Sequence, residues 1–335
     1  HFIIPTLIPE LNDLMFEHLS KKDCHIFEDS LREGNYFNGE LSVDSGCINA
    51  RTLPPDVLNK GILEILNAVP DSDATTLEEH LIKNYGPTIT EKIFAPVVKK
   101  FAGISIDKLH PGAAATFVES RIIILDRFGS SQLKKSEIYD TKIAWAHRDD
   151  GSSDRVKLYP KTGGVGSWID GVEQCLRNES VEIMTKCSVS DVHFEDGKVT
   201  ALKLNNDQTI KCDELVWTVP PVLFLKAANI PNSTPPPAFR NMVLLNYSID
   251  TEVNTDLHWV VCYDINMVSF RITLFPNITN EKRAPAPHHL TVEVITDNYK
   301  IDELCRSTGF MFFYNFCQGI CSGMALDNGD KLNLC

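Results

Sequence analysis

Two periods organise the apolar positions of this chain: a spacing of three to four residues, which marks one face of a helix, and short unbroken or alternating runs, which mark strands. Ile3 and Ile4 close a first apolar run, Leu11, Leu14, Met15 and Leu19 recur at helical spacing, and Cys24-His25-Ile26-Phe27 forms a second run ending at Glu28. The order predicted is strand, turn, helix, strand. Farther on, T-T-L-E-E-H-L-I-K-N-Y-G and I-T-E-K-I-F-A-P-V-V-K-K-F repeat the helical spacing, and each ends at a glycine, so a helical lobe is expected there.

From Tyr159 to Pro221 the pattern changes several times. The glycines at 163, 164 and 166 make a loop, Ser167 can cap a helix, and Trp168, Ile169, Val172 and Leu176 give that helix an apolar stripe. A strand at V-E-I-M, a hairpin turning at Glu195-Asp196-Gly197 and a final buried strand in D-E-L-V-W-T-V-P-P are expected to follow. Four more strand-like runs come next: M-V-L-L-N-Y-S-I-D, H-W-V-V-C-Y-D, V-S-F-R-I-T-L-F-P and L-T-V-E-V-I-T. They predict an antiparallel sheet with a hairpin loop at Asp264-Ile265-Asn266. Past residue 305 the chain is rich in aromatic and small residues; as a membrane span it is interrupted by Asn315 and Gln318.

Composition narrows the classes. With 335 residues and 43% hydrophobic content, two packed domains are possible and disorder is not the default. The net charge of −13 gives no general attraction to nucleic acid or to an anionic membrane. Ten cysteines include no C-x-x-C pair, and no His cluster has zinc spacing, so no metal site is signalled. Cys317 and Cys321 read as small core residues, and His147, Arg148, Asp149 and Asp150 as a solvated loop. Sequons at Asn178, Asn232, Asn246 and Asn277 would matter only in a secreted chain; with no signal peptide visible, a cytoplasmic location is the expectation.

The N-terminal layout is that of a dinucleotide-binding unit, whose turn normally reads G-x-G-x-x-G so that the backbone can approach a pyrophosphate. Here the three glycine places hold Pro5, Leu7 and Glu10. Pro5 and Pro9 donate no N–H, Leu7 adds bulk, and Glu10 puts a carboxylate at the positive end of the helix. The helix is thus expected to be capped by its own acid. Glu28, about 20 residues past the turn, keeps the place of the ribose-binding acid.

The stretch Y-P-K-T-G-G-V-G-S-W-I-D-G-V-E-Q-C-L, with the hairpin and D-E-L-V-W-T-V-P-P behind it, resembles the second flavin-binding segment of the FAD-dependent amine oxidase, protoporphyrinogen oxidase and UDP-galactopyranose mutase superfamily. I-I-P-T-L-I-P-E-L then stands where that superfamily has I-I-G-x-G-x-x-G-L, and H-I-F-E where it has V-x-V-L-E. L-R-E-G-N-Y-F-N-G-E-L-S-V-D-S-G resembles the G-G-x-x-x-S…D-x-G segment, with Gly34, Asn35, Asp44 and Gly46 as counterparts and Asn35 replacing a glycine. The resemblance implies that Glu28 binds the ribose, that Val189 offers backbone bonds to the adenine, and that Gly34, Gly163, Gly164 and Gly166 lie near FAD. Val189 reads equally as an ordinary strand residue, and the glycine loop as an ordinary turn. The strand order H-W-V-V-C-Y-D…F-R-I-T-L-F-P-N-I-T resembles the mutase side, which makes Arg271 the candidate contact for an anionic small-molecule substrate; its other reading is a charge on a half-buried strand. Gly329-Asp330 matches the C-terminal flavin contact only as a dipeptide, so an altered C-terminus is expected.

The fold class expected is α/β: a Rossmann-like FAD-binding domain in three layers with a mostly parallel sheet, and an inserted α+β substrate domain with an antiparallel sheet and a helical lobe. Residues 1–50 and 155–225 would form the first, 51–154 and 226–300 the second, and 301–335 a divergent tail. The function implied is a divergent FAD-dependent oxidoreductase with weakened flavin binding; the alternatives are a mutase-like sugar-nucleotide enzyme and a non-catalytic binding or scaffold protein. No side chain identifies a catalytic base.

Overall fold

The computed structural model describes residues 2–27, 31–70, 73–117, 121–145, 156–233, 240–249, 253, 255–279, 287–296 and 333–334. The chain divides into two compact units, residues 1–165 with 240–335, and residues 166–239. Glu28, the His147 to Asp150 run, the Cys317 and Cys321 pair and Gly329-Asp330 lie outside the described residues.

In the first unit the expected opening order is present: an isolated bridge at Ile3, helix α1 (Pro9–Phe16) and strand β1 (Cys24–Phe27). Strands β2 (Glu33–Phe37), β3 (Glu40–Ser42) and β4 (Ile48–Asn49) follow. The helical lobe comprises α2 (Pro55–Asn67), α3 (Leu77–Ile89), a π-helical turn at Thr90–Phe94, and α4 (Ala95–Ala102). Short elements α5 (Ala114–Phe117), β5 (Ile122–Ile123), α6 (Arg127–Leu133), α7 (Glu137–Asp140) and β6 (Lys157–Pro160) complete this half. Helix α3 breaks at Gly86, whose positive φ admits the following Pro87. There the Glu64 carboxylate accepts the Thr88 N–H at 2.7 Å and its hydroxyl at 2.8 Å, so an acid from α2 caps the second half of α3. Ile65, Leu77, Leu81, Ile89, Ile93 and Phe94 are fully buried beneath this lobe.

Helix α8 (Gly164–Asn178) begins at the end of the first unit and runs on into the second. The second unit continues with β7 (Val189–Glu195), β8 (Lys198–Leu204), β9 (Thr209–Lys211) and α9 (Pro221–Ala227). The expected hairpin is β7 with β8, and β9 extends it into a three-stranded antiparallel sheet. The other two expected strands are absent: residues 181–185 and 213–219 are irregular, and Val216 is 85% exposed. An apolar run becomes a strand only where a neighbour supplies its ladder, and neither run pairs with the β7–β8–β9 sheet. Trp217 packs edge-on against Phe224 of α9 instead, with ring centroids 5.4 Å apart.

The first unit resumes with β10 (Asn241–Ile249), β11 (Trp259–Cys262), β12 (Ser269–Leu274), α10 (Phe275–Ile278), β13 (His288–Thr296) and β14 (Asn333–Leu334). All four strands expected here are present. They build a seven-stranded sheet in the order β14-β10-β13-β12-β11-β2-β3, antiparallel except where β11 meets β2. Lys100 of α4 ties the helical lobe to it. The ammonium donates to the carbonyls of Cys262 at 2.6 Å and Asp264 at 2.8 Å, and burial pulls its pKa down to about 8. Asp264, in the expected hairpin loop, accepts the N–H groups of Gly39 and Asn266, each at 2.9 Å.

The protein is therefore mixed α/β, but its described sheets are mainly antiparallel. The mostly parallel sheet expected at the N-terminus is not seen among the described residues, where parallel pairing is confined to β2 with β11, β4 with β5 and a bridge between Ile122 and Ile143. The reason is local. Ile3 and β1 do not pair with each other; both pair antiparallel with β6, through Ile3 with Leu158 and Ile26 with Leu158, so β6 lies between them. No helix among the described residues is long and apolar enough to cross a membrane.

Candidate functional site

The first turn answers its own polar groups. Asn12, one turn into α1, reaches back: its Oδ1 accepts the Thr6 N–H at 2.6 Å and its Nδ2 donates to the Thr6 carbonyl at 2.9 Å. The Thr6 hydroxyl accepts the Ile8 N–H at 3.1 Å and donates to the Ile8 carbonyl at 3.0 Å. From Pro5 to Pro9, two residues are prolines and two amides are committed internally, which leaves the amide of Leu7. Glu10 stands exposed in the first turn and no side chain caps the helix, so the expected self-capping by this acid is replaced by the clamp from Asn12. Between the two prolines, that one remaining amide is fewer than the several converging N–H donors that hold a pyrophosphate. An open groove of about 600 Å³ runs past Asn12, Asp13 and Phe16 of this helix and past Pro5 and Lys21 on either side of it.

Gly34 in β2 is required by the protein's own packing. A Cβ there would lie 2.7 Å from Leu257 Cδ1 and 3.0 Å from the Ser42 carbonyl oxygen. Gly163 and Gly164 both have positive φ, 71° and 58°, so the loop after β6 needs glycine twice. A Cβ at Gly164 would also come within 3.0 Å of the Tyr159 hydroxyl. Gly166 and Val189 belong to the second unit; Gly166 has open space where a Cβ would be, and Val189 opens β7 opposite Leu204.

Arg271 is not a free cation. Its Nε and Nη2 both donate to Oε1 of Glu293, at 2.7 and 2.6 Å, and the Glu293 side chain is only 8% exposed. The two residues face each other across β12 and β13. Sequence reasoning missed Glu293, although the alternation in L-T-V-E-V-I-T places this acid on the face opposite the apolar core.

Cross-strand register extends that face into two rows. One runs Glu33, Trp259, Thr273, Thr291, Asn246, and the next Asn35, Val261, Arg271, Glu293, Leu244. A third set, Phe37, Tyr263, Phe270 and Ile295, packs under the helical lobe. At the other end Trp259 meets Phe2, whose ring also contacts Phe27 and Tyr159, with centroids 5.3 to 5.9 Å apart. His258 stacks edge-on against Phe27 at 5.4 Å, and its Nδ1 accepts the Arg32 N–H at 2.9 Å. Burial holds this imidazole below its ordinary pKa, and burial likewise raises the Tyr159 phenol. Asn35, fully buried, donates to the Ser45 carbonyl at 2.9 Å and accepts the Asn49 N–H at 3.4 Å. It thereby joins the polar floor to the D-S-G-C loop. What the register brings together is Asn35 and Arg271 with Glu293: a polar, charge-neutral floor between an apolar lobe and an aromatic wall. No group of three or more metal-ligating side chains occurs among the described residues.

No family model matches the sequence, and no curated protein matches it. Solved structures do. A reduced UDP-galactopyranose mutase superposes with a TM-score of 0.72 at 14% identity, over 99% of this chain and 70% of its own. A protein from Exiguobacterium sp. 255-15 assigned as a protoporphyrinogen oxidase gives 0.58 at 15% identity, over 97% and 72%. A putrescine oxidase double mutant with redesigned cofactor binding gives 0.52 at 11% identity, over 99% and 72%. At these identities the likeness speaks for fold alone: the chain shares its fold with these three proteins.

Proposed function

We propose that this chain is a divergent member of the flavin-dependent oxidoreductase class whose hold on the dinucleotide has been weakened at the phosphate end. The observation that carries the reading is the Asn12 clamp, which takes the Thr6 amide that a pyrophosphate would otherwise use. The flavin, when bound, would supply the redox chemistry. In this reading residues 1–50 and 155–225 serve as the nucleotide-type domain, with the Rossmann layering of the superfamily. Glu28 meets the ribose, Val189 the adenine, and the glycines at 163, 164 and 166 lie along the cofactor. The chain's own floor residues bind and orient a small molecule. Because Arg271 is already neutralised by Glu293, a neutral polar group suits the floor better than the anionic one expected from Arg271 alone.

A second reading, a binding protein that keeps the fold without redox chemistry, draws on the same clamp. Purified protein separates the two. Flavin absorbance with FAD released on denaturation supports the oxidoreductase reading; a colourless protein that takes up no added FAD leaves the binding reading. Replacing Pro5, Leu7 and Glu10 together by Gly, with Asn12→Ala to release the Thr6 amide, should raise FAD affinity. Unchanged affinity would reject the local block.

A further inference from the structure

Trp145 is buried at 6% exposure, and the indole Nε1 has no hydrogen-bond partner. Two arginines cover it: the Arg127 guanidinium carbon lies 4.2 Å from the ring centroid and that of Arg51 5.5 Å. Cation–π attraction of about 1 kcal/mol at each holds these side chains in place. Arg51 is steadied further by its Nε bond to Asn49 Oδ1 at 3.0 Å, which leaves its terminal nitrogens free of that contact. Among the described residues neither guanidinium is paired with a carboxylate. The adjacent acid, Asp126, spends Oδ1 on the Gly129 N–H at 2.7 Å. Lys142, three residues before Trp145, buries another donor, Nζ, that also has no hydrogen-bond partner. Among the described residues, two guanidinium groups without a carboxylate partner thus share one ring in a chain of net charge −13.

Arg51 and Arg127 are both exposed residues, so a ligand can approach them. Sharing one ring, they lie within about 10 Å of each other. A diphosphate accepting N–H bonds of about 2.8 Å at each end can bridge that span. Two fixed positive charges call for two negative ones, which a monocarboxylate does not supply and a phosphoryl dianion does.

We propose that Arg51 and Arg127, set on the Trp145 ring, form a binding site for the phosphoryl group of a small phosphorylated molecule. The site is separate from the first turn and requires no flavin, so it stands or falls apart from the oxidoreductase reading. The test is calorimetric titration of the whole chain with inorganic pyrophosphate at low salt, beside acetate as a monocarboxylate. Pyrophosphate should bind, with affinity falling as salt rises, and Arg127→Gln or Arg51→Gln should each weaken it by about tenfold. Arg127→Lys, which keeps the charge, should lose less, and Arg177→Gln, which removes an arginine paired with Glu173, should lose nothing. Absence of pyrophosphate binding to the unaltered chain overturns the site. So does binding that survives both glutamine substitutions, or acetate binding of equal strength.

Discussion

Leu81, Ile89, Ile93 and Phe94 in the helical lobe and Leu7, Ile8, Leu11 and Leu14 around α1 are apolar residues at helix-like spacing. The first four are wholly buried, whereas the second four stand between 39 and 80% exposed. Periodicity of three to four reports which residues share a face of a helix; it does not report whether anything packs on that face. In the lobe, α2, α3 and α4 supply one another's cover. At α1 no residue of the helix is buried, and the turn before it is held by polar bonds from Asn12. The helix that follows the nucleotide-like turn thus contributes no buried residue to a core.

The largest test of this contrast removes one apolar side chain from each side. Phe94→Ala deletes a fully buried ring stacked 4.6 Å from Tyr85 and should cost about 4 kcal/mol by urea unfolding. Leu14→Ala, at a site 65% exposed, should cost less than about 0.5 kcal/mol. Comparable losses would mean that α1 is packed in solution.

The tie between lobe and sheet gives a pH signature of similar size. Burial lowers the Lys100 pKa from 10.5 to about 8, so below pH 8 the folded and unfolded chains both carry the proton and the folded one bears the full burial cost. Between about 8 and 10.5 the folded state releases its proton first, the unfolded state binds more, and stability rises with pH. Relative to Lys100→Met, the unaltered protein should gain about 3 kcal/mol across that window. A difference that stays flat with pH would show that the ammonium is not buried on the Cys262 and Asp264 carbonyls. Taking the difference between the two proteins cancels the thiols and phenols that titrate in the same range.

The polar floor comes next. Glu293→Gln leaves the Arg271 guanidinium without its counter-charge; since that arginine is 31% exposed, water recovers part of the loss, and about 2 kcal/mol is expected. Arg271→Met with Glu293→Gln should recover some of it, and a double-mutant cycle with no coupling would show that the pair is not formed.

These regions also differ in how far they could be read from sequence. The four strands from β10 to β13 and the helices α3 and α4 were legible because alternation and helical spacing there coincide with real burial. Arg271 was legible as a distinctive residue but its role was not, because Glu293 lies 22 positions away and only strand register joins them. The runs at 181–184 and 213–219 misled because their β-branched and apolar content signals a strand, while a strand also needs a neighbour that composition does not specify. At the N-terminus the absence of glycine at positions 5, 7 and 10 was plain, yet the group occupying the turn was not. An asparagine four residues after Ile8 looks like any helix residue until its side chain is seen folded back on Thr6.

That last point yields the smallest and most local prediction. Asn12→Ala removes one acceptor from the Thr6 N–H and one donor from the Thr6 carbonyl, both only partly buried, so water replaces much of what is lost. Global stability should fall by about 1 kcal/mol or less, while hydrogen exchange at the Thr6 amide should quicken by about tenfold, since the opening needed to expose it no longer breaks a side-chain clamp. The Ile8 amide, held by the Thr6 hydroxyl at 3.1 Å, should change less. If exchange at Thr6 is unaltered, the amide was never committed to Asn12, and the turn would then have a donor available to a phosphate after all.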